Sequence, residues 1–142
     1  SSIWMARALP PEGGVTTLEL TKEHADEALS NFKKAGLDGK IELILGKAID
    51  SLDSIAGKSF DLVFIDADKE NCVNYFNKVI NMVRPGGLII TDNTLRRGEV
   101  IEANPGPGAQ GIIAYNKLVA NDIRVESLLV PIDDGITLSF VR

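Results

Sequence analysis

Two apolar runs in this chain stop abruptly at carboxylates. One is Phe60-Asp61-Leu62-Val63-Phe64-Ile65, followed by Asp66-Ala67-Asp68-Lys69-Glu70-Asn71. The other is Gly86-Gly87-Leu88-Ile89-Ile90-Thr91, followed by Asp92-Asn93. Short apolar runs bounded in this way read as buried strands of a parallel sheet. In an open α/β sheet, ligands sit just beyond the carboxyl ends of such strands. Two neighbouring strands would then deliver Asp66, Asp68, Asp92 and Asn93 to one crevice, with Lys69 beside them. Oxygen donors gathered in this way suit a hard divalent cation such as Mg²⁺ or Ca²⁺. The lysine adds a base.

Strand and helix patterns alternate along nearly the whole chain. Ser1 to Leu9 reads as the back of a helix, stopped by Pro10-Pro11 and a Gly13-Gly14 turn. Val15 to Leu20 is a short strand. Thr21 then caps a helix that carries Ala25, Ala28, Leu29 and Phe32 at helical spacing and ends at Gly36. Ile41 to Leu45 is the next strand, and a weak helix passes through Ile49 and Leu52. Behind the Phe60 to Ile65 strand, a helix is expected to present Val73, Phe76, Ile80 and Val83 on one face and to close at Arg84-Pro85-Gly86-Gly87. Leu88 to Thr91 is the fourth strand. Leu95 to Gly111 reads as a surface loop of the kind that handles substrate. A helix over Ile112 to Asn121 follows, then a hairpin of Val125–Val130 and Thr137–Val141 joined through Asp133-Asp134-Gly135. The fold class is α/β: doubly wound and mostly parallel, with a C-terminal antiparallel hairpin. His24 is expected on a surface helix, and Trp4 and Met5 in the core or an interface.

At 142 residues the chain reads as a single domain, 1–142, long enough to bury about 70% of its unfolded surface. A hydrophobic share of 44% and a charged share of 25% fit a soluble globular protein. The net charge of −5 argues against a nucleic-acid partner, whose footprint is a basic stripe. The pairs Lys33-Lys34 and Arg96-Arg97 read as solvated surface. No apolar stretch approaches the ~20 residues of a membrane span, and no signal-peptide pattern opens the chain. The lone cysteine, Cys72, is expected in the core, and it is compatible with a reducing compartment; the cytoplasm is the expected location.

These pieces together resemble the cation-dependent, S-adenosylmethionine-using O-methyltransferases of the catechol and caffeoyl-coenzyme A type. In order they are Ser1 with Met5-Ala6-Arg7, Leu18-Glu19-Leu20, Ala35-Gly36 and Gly46-Lys47-Ala48. Then come Phe64 to Asn71, Arg84-Pro85-Gly86-Gly87, Asp92-Asn93, and Pro131-Ile132-Asp133-Asp134-Gly135-Ile136-Thr137-Leu138. The resemblance covers the whole chain and implies a Rossmann-like sheet. It implies Asp66, Asp92 and Asn93 as metal ligands, with Mg²⁺ first and Ca²⁺ or Mn²⁺ also accommodated. It makes Lys69 a base toward a phenol, with Asp66 sharing the catalytic site. Glu19 would hold the ribose hydroxyls of S-adenosylmethionine and Ser1 would lie near its methionine carboxylate. Gly46, Lys47 and Ala48 would border the adenine, Asp68 would face the amino group, and Asp66 would also count among the cofactor-binding residues. The family's glycine-rich turn, Glu-x-Gly-Thr-x-x-Gly-Tyr, would stand immediately before Ser1. The expectation is therefore an N-terminally truncated form without the first strand, leaving unpaired edges on the strands ending at Glu19 and Asp66 and binding the cofactor poorly by itself.

The implied reaction moves a methyl group from S-adenosylmethionine to a hydroxyl of a catechol-like or phenylpropanoid aromatic, in a homodimer by analogy. Arg96-Arg97 stands where relatives often carry Trp and a small residue, which points to an acidic acceptor. Two alternatives stay open. One is a nicotinamide-dependent oxidoreductase, disfavoured because no Gly-x-Gly-x-x-Gly is present. The other is a truncated, non-catalytic methyltransferase-like fold acting through dimerisation or partner binding. Plainer readings of the residues also stay open: Asp66 and Asp92 as helix-capping acids, Lys69 as the salt-bridge partner of Asp66 or Asp68, and Glu19 as a surface acid.

Overall fold

Apolar runs too short for a helix become strands, and the longer amphipathic stretches between them become helices. The computed structural model describes every residue, Ser1–Arg142. In order the elements are α1 (Ser2–Ala8), β1 (Val15–Glu19), α2 (Lys22–Lys34), β2 (Ile41–Leu45), α3 (Ala48–Ser54) and β3 (Phe60–Ile65). A 3₁₀ turn at Lys69–Asn71 leads into α4 (Cys72–Val79). The chain continues through β4 (Val83–Asp92), a kinked 3₁₀ segment at Arg96–Ile101, α5 (Pro107–Asn121), β5 (Val125–Val130) and β6 (Ile136–Val141). The architecture is mixed α/β with mostly parallel strands, β6 alone running against its neighbours. No helix is long and apolar enough to cross a membrane. The chain packs as two compact units, Ser1–Ile55 and Ala56–Arg142.

In the first unit β1 and β2 pair in parallel, Val15 beside Ile41 through Glu19 beside Leu45. Ala6, Phe32 and Ile41 are buried at its centre, with Ile3, Val15, Ala28, Leu37 and Leu43 packed around them. α2 ends in a Schellman turn. The Leu37 N–H donates to the Phe32 carbonyl at 2.9 Å and the Gly36 N–H to the Lys33 carbonyl at 3.0 Å. Gly36 takes φ +67°, a left-handed conformation that glycine adopts at no steric cost. Thr21 occupies the N-cap as expected but makes no side-chain capping bond. Its hydroxyl turns back to Glu19 Oε1, 3.2 Å away. Trp4 is 73% exposed and so is not part of the core, one of the two places expected for it, because Ala6 and Ile3 supply the inward face of this short helix. The Arg7 guanidinium covers its ring at 5.2 Å.

The second unit is built on a sheet of order β3-β4-β6-β5. β3 and β4 are parallel; β6 is antiparallel to both β4 and β5. Ile89, Thr91, Ser139 and Val141 alternate along one sheet face and are buried, as are Phe76, Ile112 and Tyr115 of the helices. A buried hydroxyl pair crosses this layer, Thr91 Oγ1 donating to Tyr115 Oη at 2.7 Å, and a half-buried pair links β5 to β6, where Ser127 and Ser139 Oγ lie 2.8 Å apart. β1 and β3 each pair on one side only, as the sequence reading expected of these two strands.

Two boundaries differ from the sequence reading. Val83 starts β4 rather than ending α4, because the Phe60 N–H takes the Met82 carbonyl and Phe60 pairs with Val83. The Arg84-Pro85-Gly86-Gly87 turn then bulges out opposite Asp61 before pairing resumes at Leu62 and Leu88. α5 begins at Pro107, five residues ahead of the expected Ile112, with Gly106 as its N-cap. Proline suits a first helical position, where no intrahelical N–H donor is needed.

Candidate active site

The register of the parallel pair sets the site of the second unit. Ile65 lies beside Thr91, so the next residue of each strand, Asp66 and Asp92, leaves the same edge of the sheet on adjacent strands. Asn93 follows with φ +57°, a left-handed conformation that asparagine tolerates well. Its N–H donates to Asp92 Oδ1 at 2.7 Å. The next two N–H groups, of Thr94 and Leu95, bond the carbonyls of Gly135 and Asp134, tying the exit of β4 to the β5–β6 hairpin.

Beyond Asp66 the chain turns into the 3₁₀ segment that carries Lys69. Lys69 Nζ lies 2.9 Å from Asp66 Oδ1; the lysine side chain is 10% exposed and the aspartate 47%. Asp68 is held from two sides. Tyr75 Oη donates to its Oδ1 and Asn71 Nδ2 to its Oδ2, each at 2.5 Å. Burial pushes the Asp68 carboxyl up, but these two hydrogen bonds outweigh that and hold it below its ordinary range. Burial, and then the bond to Asp68, drive the Tyr75 phenol strongly upward, so it stays a donor. A Cβ at Gly111 would collide with the Lys69 carbonyl and Glu70 Cα. The backbone of α5 therefore lies directly against the turn that presents Lys69.

These residues fit a hard cation. Asp66, Asp92 and Asn93 offer only oxygen donors suited to it, and the known bonds occupy one oxygen of each carboxylate. No group of three or more His, Cys, Asp or Glu residues able to hold a metal ion is present; Asp66, Asp92 and Asn93 together carry two carboxylates and one amide.

In the first unit Ser1 and Glu19 line one open pocket of about 440 Å³, together with Trp4, Thr17, Asn31 and Leu43. Glu19 ends β1, and its Oε1 accepts the Thr21 N–H at 2.9 Å with His24 Nδ1 3.5 Å away. The Thr21 N–H is the main cause that holds the Glu19 carboxyl below its ordinary value. Gly46, Lys47 and Ala48 follow the adjacent strand: the Gly46 N–H bonds the Glu19 carbonyl at 2.8 Å, Lys47 is the N-cap of α3 and Ala48 its first residue. They sit beside Glu19 without lining that pocket.

Tyr75 joins the site through Asp68. Its spacing of seven from Asp68, two helical turns, was the available signal. Cys72 is fully buried, and burial raises its thiol to about 11, which keeps it protonated and inert near neutral pH.

Residues 1–141 match the O-methyltransferase family. The chain belongs to that family. It is 37% identical over 151 residues to the catechol O-methyltransferase of Niastella koreensis, covering 100% of this chain and 68% of the relative. It is 39% identical over 150 residues to caffeoyl-CoA O-methyltransferase 2 of Petunia hybrida, covering 97% of this chain and 62% of that enzyme. The chain thus spans about two thirds of the length of these relatives. Among solved structures, the O-methyltransferase of Bacillus cereus in complex with SAH superposes with a TM-score of 0.94 at 40% identity, over 99% of this chain and 68% of that one. The Rossmann-like α/β architecture of this O-methyltransferase family member agrees with the expectation from sequence.

Proposed function

We propose that the chain serves a metal-dependent O-methyltransferase reaction. It transfers a methyl group from S-adenosylmethionine to one hydroxyl of a catechol-like or phenylpropanoid aromatic. The observation that carries this reading is the β3–β4 register, which sets Asp66 and Asp92 side by side. The catechol and caffeoyl-CoA names of the relatives support the acceptor class.

When bound, the cation acidifies the acceptor hydroxyl and the cofactor brings the methyl group. Asp66, Asp92 and Asn93 hold the cation. Lys69 is the base that takes the hydroxyl proton at Nζ. Asp66 Oδ1, 2.9 Å away, stabilises the ammonium that results. Asp68, with one lone pair of each oxygen already committed to Tyr75 and Asn71, offers the remaining ones to the cofactor's amino group. In the first unit Glu19 takes the ribose hydroxyls as charge-assisted donors. Ser1 faces the methionine carboxylate, and Gly46, Lys47 and Ala48 border the adenine. Both units are read as one methyltransferase domain, and a homodimer belongs to the same reading by analogy; the lone, buried Cys72 is compatible with a reducing compartment such as the cytoplasm.

Incubating the chain with catechol, S-adenosylmethionine and Mg²⁺ should yield monomethylated product, and EDTA should reduce it to background. Full-rate methylation in EDTA would exclude the metal-dependent reading; no product with metal present would exclude the activity in this chain by itself. Tyr75 enters as a positioning residue. Tyr75→Phe should weaken S-adenosylmethionine binding about tenfold by freeing Asp68, read by calorimetry, with little change in the KM for catechol. Equal losses in both, or in neither, would remove Tyr75 from this role.

A further inference from the structure

We propose that Asp134 and Gly135, at the tip of the β5–β6 hairpin, are positioning residues for the cation site. They clamp the turn that leaves β4 and so hold Asp92 and Asn93 in place as ligands. This rests on the reading of Asp66, Asp92 and Asn93 as those ligands.

The β4–β6 ladder ends where Asp92 lies beside Ile136. One residue back along the hairpin, the Gly135 carbonyl takes the Thr94 N–H at 2.9 Å. Asn93 is therefore held between two neighbours that are tied to consecutive residues of the hairpin. The clamp continues past it. The Leu95 N–H bonds the Asp134 carbonyl at 2.8 Å, and the Arg97 N–H bonds the Asp134 carboxylate. From α5, Asn116 Nδ2 donates to the Thr94 carbonyl at 2.9 Å, and Thr94 itself is fully buried.

Backbone strain gathers at this contact. The non-glycine residues with left-handed φ are Asn93, Arg96, Arg97 and Asp133, at +57°, +49°, +52° and +50°. Three lie in the exit of β4 and the fourth in the hairpin tip that meets it. Long side chains rarely take that conformation, and it persists only where the surroundings over-determine it. Asp134 supplies two of the bonds that do so here. Gly135 supplies the room. At its φ of +80°, a Cβ would stand 2.5 Å from Leu95 Cγ and 2.9 Å from the Leu95 backbone nitrogen. Glycine thus lets the two segments close to hydrogen-bonding distance. A site whose donors are already ordered binds more tightly than one that must order them on binding.

Titration calorimetry with Mg²⁺ on the full chain tests this, with urea unfolding in EDTA as the companion measurement. Asp134→Ala should bind Mg²⁺ about tenfold more weakly, as when a partner behind a metal ligand is removed. Asp134→Asn keeps an oxygen that accepts the Arg97 N–H and should stay within about threefold of the unaltered chain. Gly135→Ala, which drives Leu95 away, should lose more than Asp134→Ala. An affinity unmoved in Asp134→Ala overturns the proposal, even where its urea midpoint falls, because that pattern is a purely structural role. An equal loss in Asp134→Asn also overturns it, since Asp134 would then act through charge rather than position. If the unaltered chain binds no Mg²⁺, the ligand reading fails and takes the proposal with it. Mg²⁺ bound equally well by the unaltered chain and by Asp134→Ala sinks the positioning role alone.

Discussion

Replacing Asp92 with Ala should abolish Mg²⁺ binding and lower methyl transfer to catechol by about a hundredfold or more, since a catalytic cation contributes several kcal/mol to such a reaction. The remaining carboxylate, Asp66, is already engaged by Lys69 at 2.9 Å and would be a poor ligand alone. Asp92 also accepts the Asn93 N–H, so the Ala variant releases the left-handed turn along with the charge. Asp92→Asn separates the two effects, because an amide oxygen still accepts that N–H while the charge is gone. Both variants should lose the cation if charge is what binds it. The fold should persist in each, because Thr91 and Tyr115 beneath the site remain buried and bonded. Titration calorimetry with Mg²⁺ decides the matter, and an unchanged affinity in Asp92→Ala would refute the ligand assignment.

The second large effect is on stability. Phe76→Ala should destabilise the chain by about 3–5 kcal/mol, the usual range for truncating a buried phenylalanine. Phe76 is fully buried, meets the Tyr115 ring edge-on with centroids 6.1 Å apart at 76°, and has the Arg124 guanidinium 5.9 Å from its own ring. Its removal opens a cavity between α4, α5 and the sheet and takes the aromatic and cation contacts with it. Against a typical total of about 5–15 kcal/mol, a loss of that size leaves a marginal fold. Urea unfolding followed by circular dichroism measures it. A shift of under about 1 kcal/mol would mean that the core collapses around the gap.

Much of this structure could be read from the chain because its strands are sharply bounded. Ile41–Leu45 and Phe60–Ile65 fall between glycines and charged residues, and β2 and β3 occupy those ranges. The failures have local causes. Phe76, Ile80 and Val83 continue a helical repeat, so the start of β4 was hidden, and the bulge at Arg84 to Gly87 looked like the end of the helix rather than part of the strand. The Gly-Pro composition before Ile112 suggested loop, although Pro107 is well suited to begin α5. For the candidate site, residue type and order named Asp66, Asp68, Lys69, Asp92 and Asn93. Sequence offered Lys69 as a partner of Asp66 or Asp68 without choosing between them, and it did not reveal that Tyr75 holds Asp68. Those depend on side-chain approach across turns, which no periodicity encodes.

The pairing of β3 with β4 has a thermodynamic side as well. Asp66 and Asp92 are far apart along the chain and become neighbours only when Ile65 lies beside Thr91. The unfolded chain therefore has no such site, and a cation held there binds the folded form alone. Mass action would then make such a cation a stabiliser of the second unit, contributing about 2.7 kcal/mol at a concentration one hundred times its dissociation constant. The concentration of a divalent cation would thus tune the resistance of this unit to heat and proteolysis as well as its chemistry.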